Sequence, residues 1–139
     1  MKSTVSRRRL IITITIVALI GFSFAACDNG SLGLSIDGTW DRGDIVIKIS
    51  GSRGTFTEIR HSNWLEVSNR GNVKIGDTKY RNIKRTGDRI WVAESLLFNP
   101  STFALTGWEE VTFTLGADGR TLDAYIASAT NPHQTYIRR

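Results

Sequence analysis

Residues 108–127 read Trp108-Glu109-Glu110-Val111-Thr112-Phe113-Thr114-Leu115-Gly116-Ala117-Asp118-Gly119-Arg120-Thr121-Leu122-Asp123-Ala124-Tyr125-Ile126-Ala127. Successive side chains of a strand point to opposite faces, so Val111, Phe113 and Leu115 share one side and Thr112 and Thr114 the other. The Asp118-Gly119 pair readily adopts the positive φ angles of a tight hairpin turn. The stretch predicts two antiparallel strands, 108–115 and 121–127.

The same reading extends in both directions. Upstream, Arg89 to about Phe98 is the longest predicted strand, with Ile90, Val92, Glu94, Leu96 and Phe98 on one face and Trp91, Ala93, Ser95 and Leu97 on the other. Earlier strands are expected at 44–49, where Ile45, Ile47 and Ile49 alternate, at 55–59, at 64–67, at 73–75 and at 79–84. Asn99-Pro100-Ser101 breaks the long strand, and residues 101–105 have room for a single helical turn. Asn131-Pro132 turns the chain into a last strand, 134–138. Glycines fall mostly at the turns, and no helical period runs long enough for a scaffold helix. The fold expected is all-β: a small antiparallel up-and-down barrel of about eight strands, which leaves no open edge. A two-sheet sandwich is the alternative.

Gly38-Thr39-Trp40, at the start of the first strand, resembles the Gly-x-Trp motif that opens lipocalin-like (calycin) barrels. The resemblance covers residues 38–139. It implies that Trp40 plugs the closed end of a barrel and that an arginine of the last strand packs across its ring, Arg138 first and Arg139 as the alternative. The chain is shorter than a typical lipocalin and lacks the long helix many carry near the C-terminus. It is closer to the small lipocalin-like lipoproteins of bacteria.

The N-terminal stretch points the same way. Lys2, Arg7, Arg8 and Arg9 precede seventeen uncharged residues, Leu10 to Ala26, and then Cys27, the chain's one cysteine. A basic region, an apolar region and small residues at the end form a secretory signal. Phe24-Ala25-Ala26-Cys27 resembles a lipobox, which implies diacylglyceryl transfer and palmitate on the Cys27 sulfur and removal of residues 1–26. An uncleaved anchor and the twin-arginine route are the alternatives. Residues 27–37 are then a flexible tether and 38–139 the barrel domain. The location expected is the cell envelope, lipid-anchored to a bacterial membrane on its periplasmic or surface face.

Four basic residues belong to that signal, so the formal charge of +5 falls to +1 for residues 27–139. The basic pI is therefore no sign of nucleic-acid binding, and no nucleic-acid partner is expected. If Cys27 is acylated, no thiol remains for redox or nucleophilic chemistry. His61 and His133 stand alone, without the spacing of a metal site. Glu109 and Glu110 are strand neighbours on opposite faces and form no acid/base pair. No enzyme, cofactor or metal is expected.

Four tryptophans raise two possibilities: core filling, or the lining of a ligand cavity. Tyr80, Trp91, Glu94, Trp108 and Tyr125 are the ligand-binding candidates, as polar or aromatic groups on otherwise apolar strands. Glu94 would be buried and in need of a partner if Ile90, Val92 and Leu96 face inward. The function expected is a membrane-anchored, non-enzymatic binding module for a small apolar ligand or a peptide segment. The alternative is a surface interaction protein with a filled barrel: an inhibitor, an adhesin or an envelope-complex subunit.

Overall fold

The computed structural model describes residues 34–139. The signal, Cys27 and the first part of the tether lie outside the described residues. Eight strands form one closed barrel: β1 (Gly38–Asp41), β2 (Ile45–Ser50), β3 (Arg53–Ile59), β4 (Thr78–Arg85), β5 (Ile90–Phe98), β6 (Leu105–Leu115), β7 (Thr121–Tyr125) and β8 (His133–Arg138). Each strand pairs antiparallel with its neighbour in sequence, and β8 returns to β1 through Trp40↔Arg138 and Asp41↔Ile137. The up-and-down barrel therefore holds and the sandwich does not. Every strand has a partner on both sides, although β3 meets β4 only through Gly54↔Tyr80 and Thr55↔Thr78, and β6 meets β7 only over Thr112–Leu115.

The hairpin read from residues 108–127 is β6 and β7, with Thr112 opposite Tyr125 and Leu115 opposite Leu122. Inward alternation fills the barrel. Trp40, Ile45, Ile47, Phe56, Tyr80, Phe113, Leu122 and Tyr136 are all fully buried. Dense packing of large aromatics in an eight-strand barrel leaves little space between the walls. The Tyr80 and Tyr136 hydroxyls meet at 2.9 Å in the middle of this core, so neither is left unpaired.

Residues 64–67 are the one place where a predicted strand is a helix. α1 spans Asn63–Asn69. Trp64 and Val67 are both buried, and their three-residue spacing puts them on one helical face. The Ser62 hydroxyl accepts from the Trp64 amide as an N-cap. At the other end Gly71 adopts φ 77°, Gly71 N–H donates to Ser68 O and Asn72 N–H donates to Val67 O, which is a Schellman cap. Residues 73–75 form no strand either; they run on from this cap into the turn before β4.

Leu34–Asp37, placed in the tether by sequence, packs on the closed end of the barrel. Ile36 is buried and its carbonyl accepts from the Trp40 indole at 2.7 Å. Burial of Ile36 acts together with the bonds that Trp40 and Arg138 donate to the Ile36, Ser35 and Asp37 carbonyls to offset the entropy lost on ordering the segment.

Candidate functional site

The two ends of the barrel differ. At the closed end the Arg138 guanidinium lies 4.4 Å from the Trp40 ring centroid. It donates to Ser35 O at 2.7 Å, Asp37 O at 2.9 Å and Gly119 O at 3.0 Å. A side chain on Gly38 would sit 3.2 Å from the same guanidinium, and its φ of 138° suits only glycine. Gly38, Trp40 and Arg138 are thus brought together, and the cation seals the ring edge of the core.

The opposite end is open. A cleft of about 760 Å3 lies between the β1–β2 turn, α1, the β5–β6 loop and the β7–β8 loop. Trp64, Leu97, Phe98 and Pro100 supply its apolar wall, and Arg42, Asp44 and Lys79 its charges. The wall is held by aromatic contacts. Trp64 packs against Phe56 at 5.1 Å and edge-on to Phe98 at 4.6 Å, within the favourable range for ring pairs.

The charged groups are fixed rather than free. Arg42 grips Asp44 with two bonds, Nε–Oδ1 at 2.7 Å and Nη2–Oδ2 at 2.6 Å, and also donates to Gln134. Ser62 Oγ donates to Asp44 at 2.9 Å, which ties the helix cap to the same carboxylate. Burial works against ionising Asp44, but the bonds from Arg42 and Ser62 outweigh it and hold its pKa below the usual value. Arg42 is likewise penalised by burial, yet Tyr136 and Asp44 raise its pKa above normal.

Lys79 is the unusual member. It is 1% exposed, and its ammonium donates to Ser95 Oγ at 2.9 Å and Leu96 O at 2.6 Å. It lies 4.5 Å from the Trp64 ring centroid and 5.1 Å from that of Tyr80. Among the described residues no carboxylate forms an ion pair with it. Desolvation, reinforced by Arg42, pushes its pKa well below the usual lysine value, and Asp44 offsets only part of this.

No known protein family, curated protein or solved structure matches this chain.

None of the five strand residues selected as ligand-binding candidates lines the cleft. Tyr80 and Trp91 belong to the core cluster. Glu94 is on the outer face, in a salt bridge with Arg81 at 2.9 Å and bonded also to Asn82. Strand β5 buries Trp91, Ala93 and Ser95 on its inner face, whereas Ile90 is exposed, so the face carrying Glu94 points outward. Trp108 is half-buried beneath Arg81, 4.2 Å from its ring centroid. Tyr125 is exposed and leans on His133 at 4.9 Å. The cleft is built instead from turns, from α1 and from strand residues near the open end, among them Lys79 of β4, Leu97 and Phe98 of β5 and Gln134 of β8. The Ser62 cap and the Trp64/Val67 spacing were the sequence signals for its helical wall. Among the described residues no group of histidines, cysteines and carboxylates is placed to hold a metal.

Proposed function

We propose that this chain is a lipid-anchored, lipocalin-like, non-enzymatic binding module of a bacterial cell envelope, and that its open mouth holds a small ligand with an apolar body. The observation that carries the reading is the cleft. Its volume of about 760 Å3 falls inside the range of roughly 300–1,000 Å3 found for small-molecule sites, and it combines an aromatic wall with a few fixed polar groups. The filled interior confines the ligand to this mouth. The Trp40–Arg138 seal at the other end supports the lipocalin-like assignment, and the Phe24-Ala25-Ala26-Cys27 sequence supports the anchor.

Native mass spectrometry of the full chain, extracted from bacterial envelopes in mild detergent, tests the binding function. The expected spectrum carries a small-molecule adduct and the mass of acyl chains. A chain that emerges bare, or only with a second polypeptide, contradicts the small-ligand reading. Palmitate labelling that leaves the wild-type chain unmarked contradicts the anchor, as does labelling that persists in Cys27→Ser.

A further inference from the structure

Lys79 carries charge that the fold leaves unmatched. Three charged groups line the inner part of the cleft: Arg42, Asp44 and Lys79. Arg42 and Asp44 satisfy each other through their two short bonds. That leaves one cation over. The other titratable groups on the cleft are at its rim and exposed: Glu109, bonded by Ser128, keeps its charge in solvent, and His133 contacts Asp123 at 3.0 Å.

The surroundings of the Lys79 nitrogen suit an ammonium. It has three N–H donors, of which two go to Ser95 Oγ and Leu96 O. The faces of Trp64 and Tyr80 favour a cation further. Two acceptors satisfy the two N–H donors of a neutral amine as well, and burial lowers the Lys79 pKa. The two ring faces favour the cation, and what the ammonium form still lacks is an acceptor of opposite charge for its third N–H. A buried ammonium without a counter-ion is unfavourable. A partner that brings one negative charge removes that penalty and accepts the third N–H.

We infer that Lys79 is the head-group receptor of the mouth, and that the ligand carries a single carboxylate-type anion on an apolar body. This inference rests on the reading of the cleft as a small-molecule site. One surplus cation matches a monoanion; a phosphate monoester would bring a second, unmatched charge inside. Trp64, Leu97, Phe98 and Pro100 receive the apolar body beside the head group.

Calorimetric titration of the full chain in non-ionic detergent, against blank micelles, tests this with three probes of one shape: 2-naphthoate, naphthalene-2-methanol and 2-naphthylmethylammonium. At pH 7 the carboxylate is expected to bind at least about tenfold more tightly than the alcohol, and the ammonium not to bind; tenfold corresponds to about 1.4 kcal/mol. Lys79→Met should bring the carboxylate down to the level of the alcohol while keeping alcohol binding, which also reports an intact cleft. Lys79→Arg, which retains a cation, should keep the preference. Equal affinity of wild type for carboxylate and alcohol overturns the head-group assignment and leaves the cleft as a binding site. A preference that survives in Lys79→Met overturns it too. If none of the three probes binds wild type, the cleft itself is not a site for such molecules, and both readings fall.

Discussion

Replacing Arg138 by Met tests the closed end of the barrel. Methionine keeps an unbranched apolar stem over Trp40 but removes the fork that binds three carbonyls. Charge-assisted hydrogen bonds contribute about 1.5–3 kcal/mol each when shielded. Here the Ser35 and Asp37 carbonyls are in exposed surroundings and regain water, so only the bond to Gly119 counts near the low end of that range. The cation over Trp40 adds about 0.5–1 kcal/mol at a partly exposed site. With small remainders from the two exposed bonds, the loss comes to about 3 kcal/mol. For a domain of this size that lowers Tm by about 15 °C. Lysine at this position keeps the cation but not the fork, and should fall between the two. Thermal unfolding of the full chain followed by far-ultraviolet circular dichroism reads the effect. Hydrogen exchange should also show the amides of Leu34–Asp37 released in the variant. A Tm drop below about 4 °C in Arg138→Met would refute the reasoning, because the clamp would then hold less than about 1 kcal/mol.

Other predictions concern the core and the mouth. Gly54→Ala places a methyl 3.2 Å from the Tyr80 ring and 3.3 Å from its Cβ, and Tyr80 is locked by its neighbours; the expected loss is about 1–3 kcal/mol in denaturant unfolding. Tyr80→Phe alone takes away the buried partner of the Tyr136 hydroxyl and should destabilise by about 1–2 kcal/mol, whereas adding Tyr136→Phe should recover part of that loss. Asp44 has a folded pKa below its unfolded one, so its contribution is complete above about pH 4 and vanishes as the pH falls through the folded value. Stability measured from pH 6 to pH 2 should therefore fall more steeply in wild type than in Asp44→Asn. Lys79 has the opposite consequence. Its folded pKa is depressed, so the unfolded chain binds more protons between that value and about 10.4, and stability rises with pH across this window. Lys79→Met should flatten that rise and stabilise the barrel at pH 7 by about 1 kcal/mol, since Ser95 Oγ can turn to Leu96 O. An unchanged slope would mean that Lys79 does not titrate differently in the folded chain.

The barrel was readable because most strands have one wet face. Val111, Phe113 and Leu115 alternate with Thr112 and Thr114, and Ile47 and Ile49 with Lys48 and Ser50. That period fixes both the strand and its phase, although Val46 between Ile45 and Ile47 is buried too. Strand β5 defeats the same reading. It is apolar on both sides, so the phase that turns Glu94 outward is decided by its neighbours and not by its own pattern. Four apolar and polar residues in a row, Trp64 to Val67, fit a strand or one helical turn equally well. The Ser62 and Gly71 caps settle the choice, together with the buried Trp64 and Val67 side chains. The cleft was hidden for a different reason. Asp44, Ser62 and Pro100 come from three separate turns that only barrel closure brings together. Lys79 reads as a solvated strand lysine, and its burial depends on α1 laying Trp64 beside it.

Hydrogen–deuterium exchange of the full chain with and without 2-naphthoate tests most directly that ligand enters at the open mouth. Protection is expected in Asn63–Asn69, in the β1–β2 turn around Arg42 and Asp44, and in the β7–β8 loop. Protection at the closed-end turn 116–120, or no change anywhere at saturating probe, would contradict it.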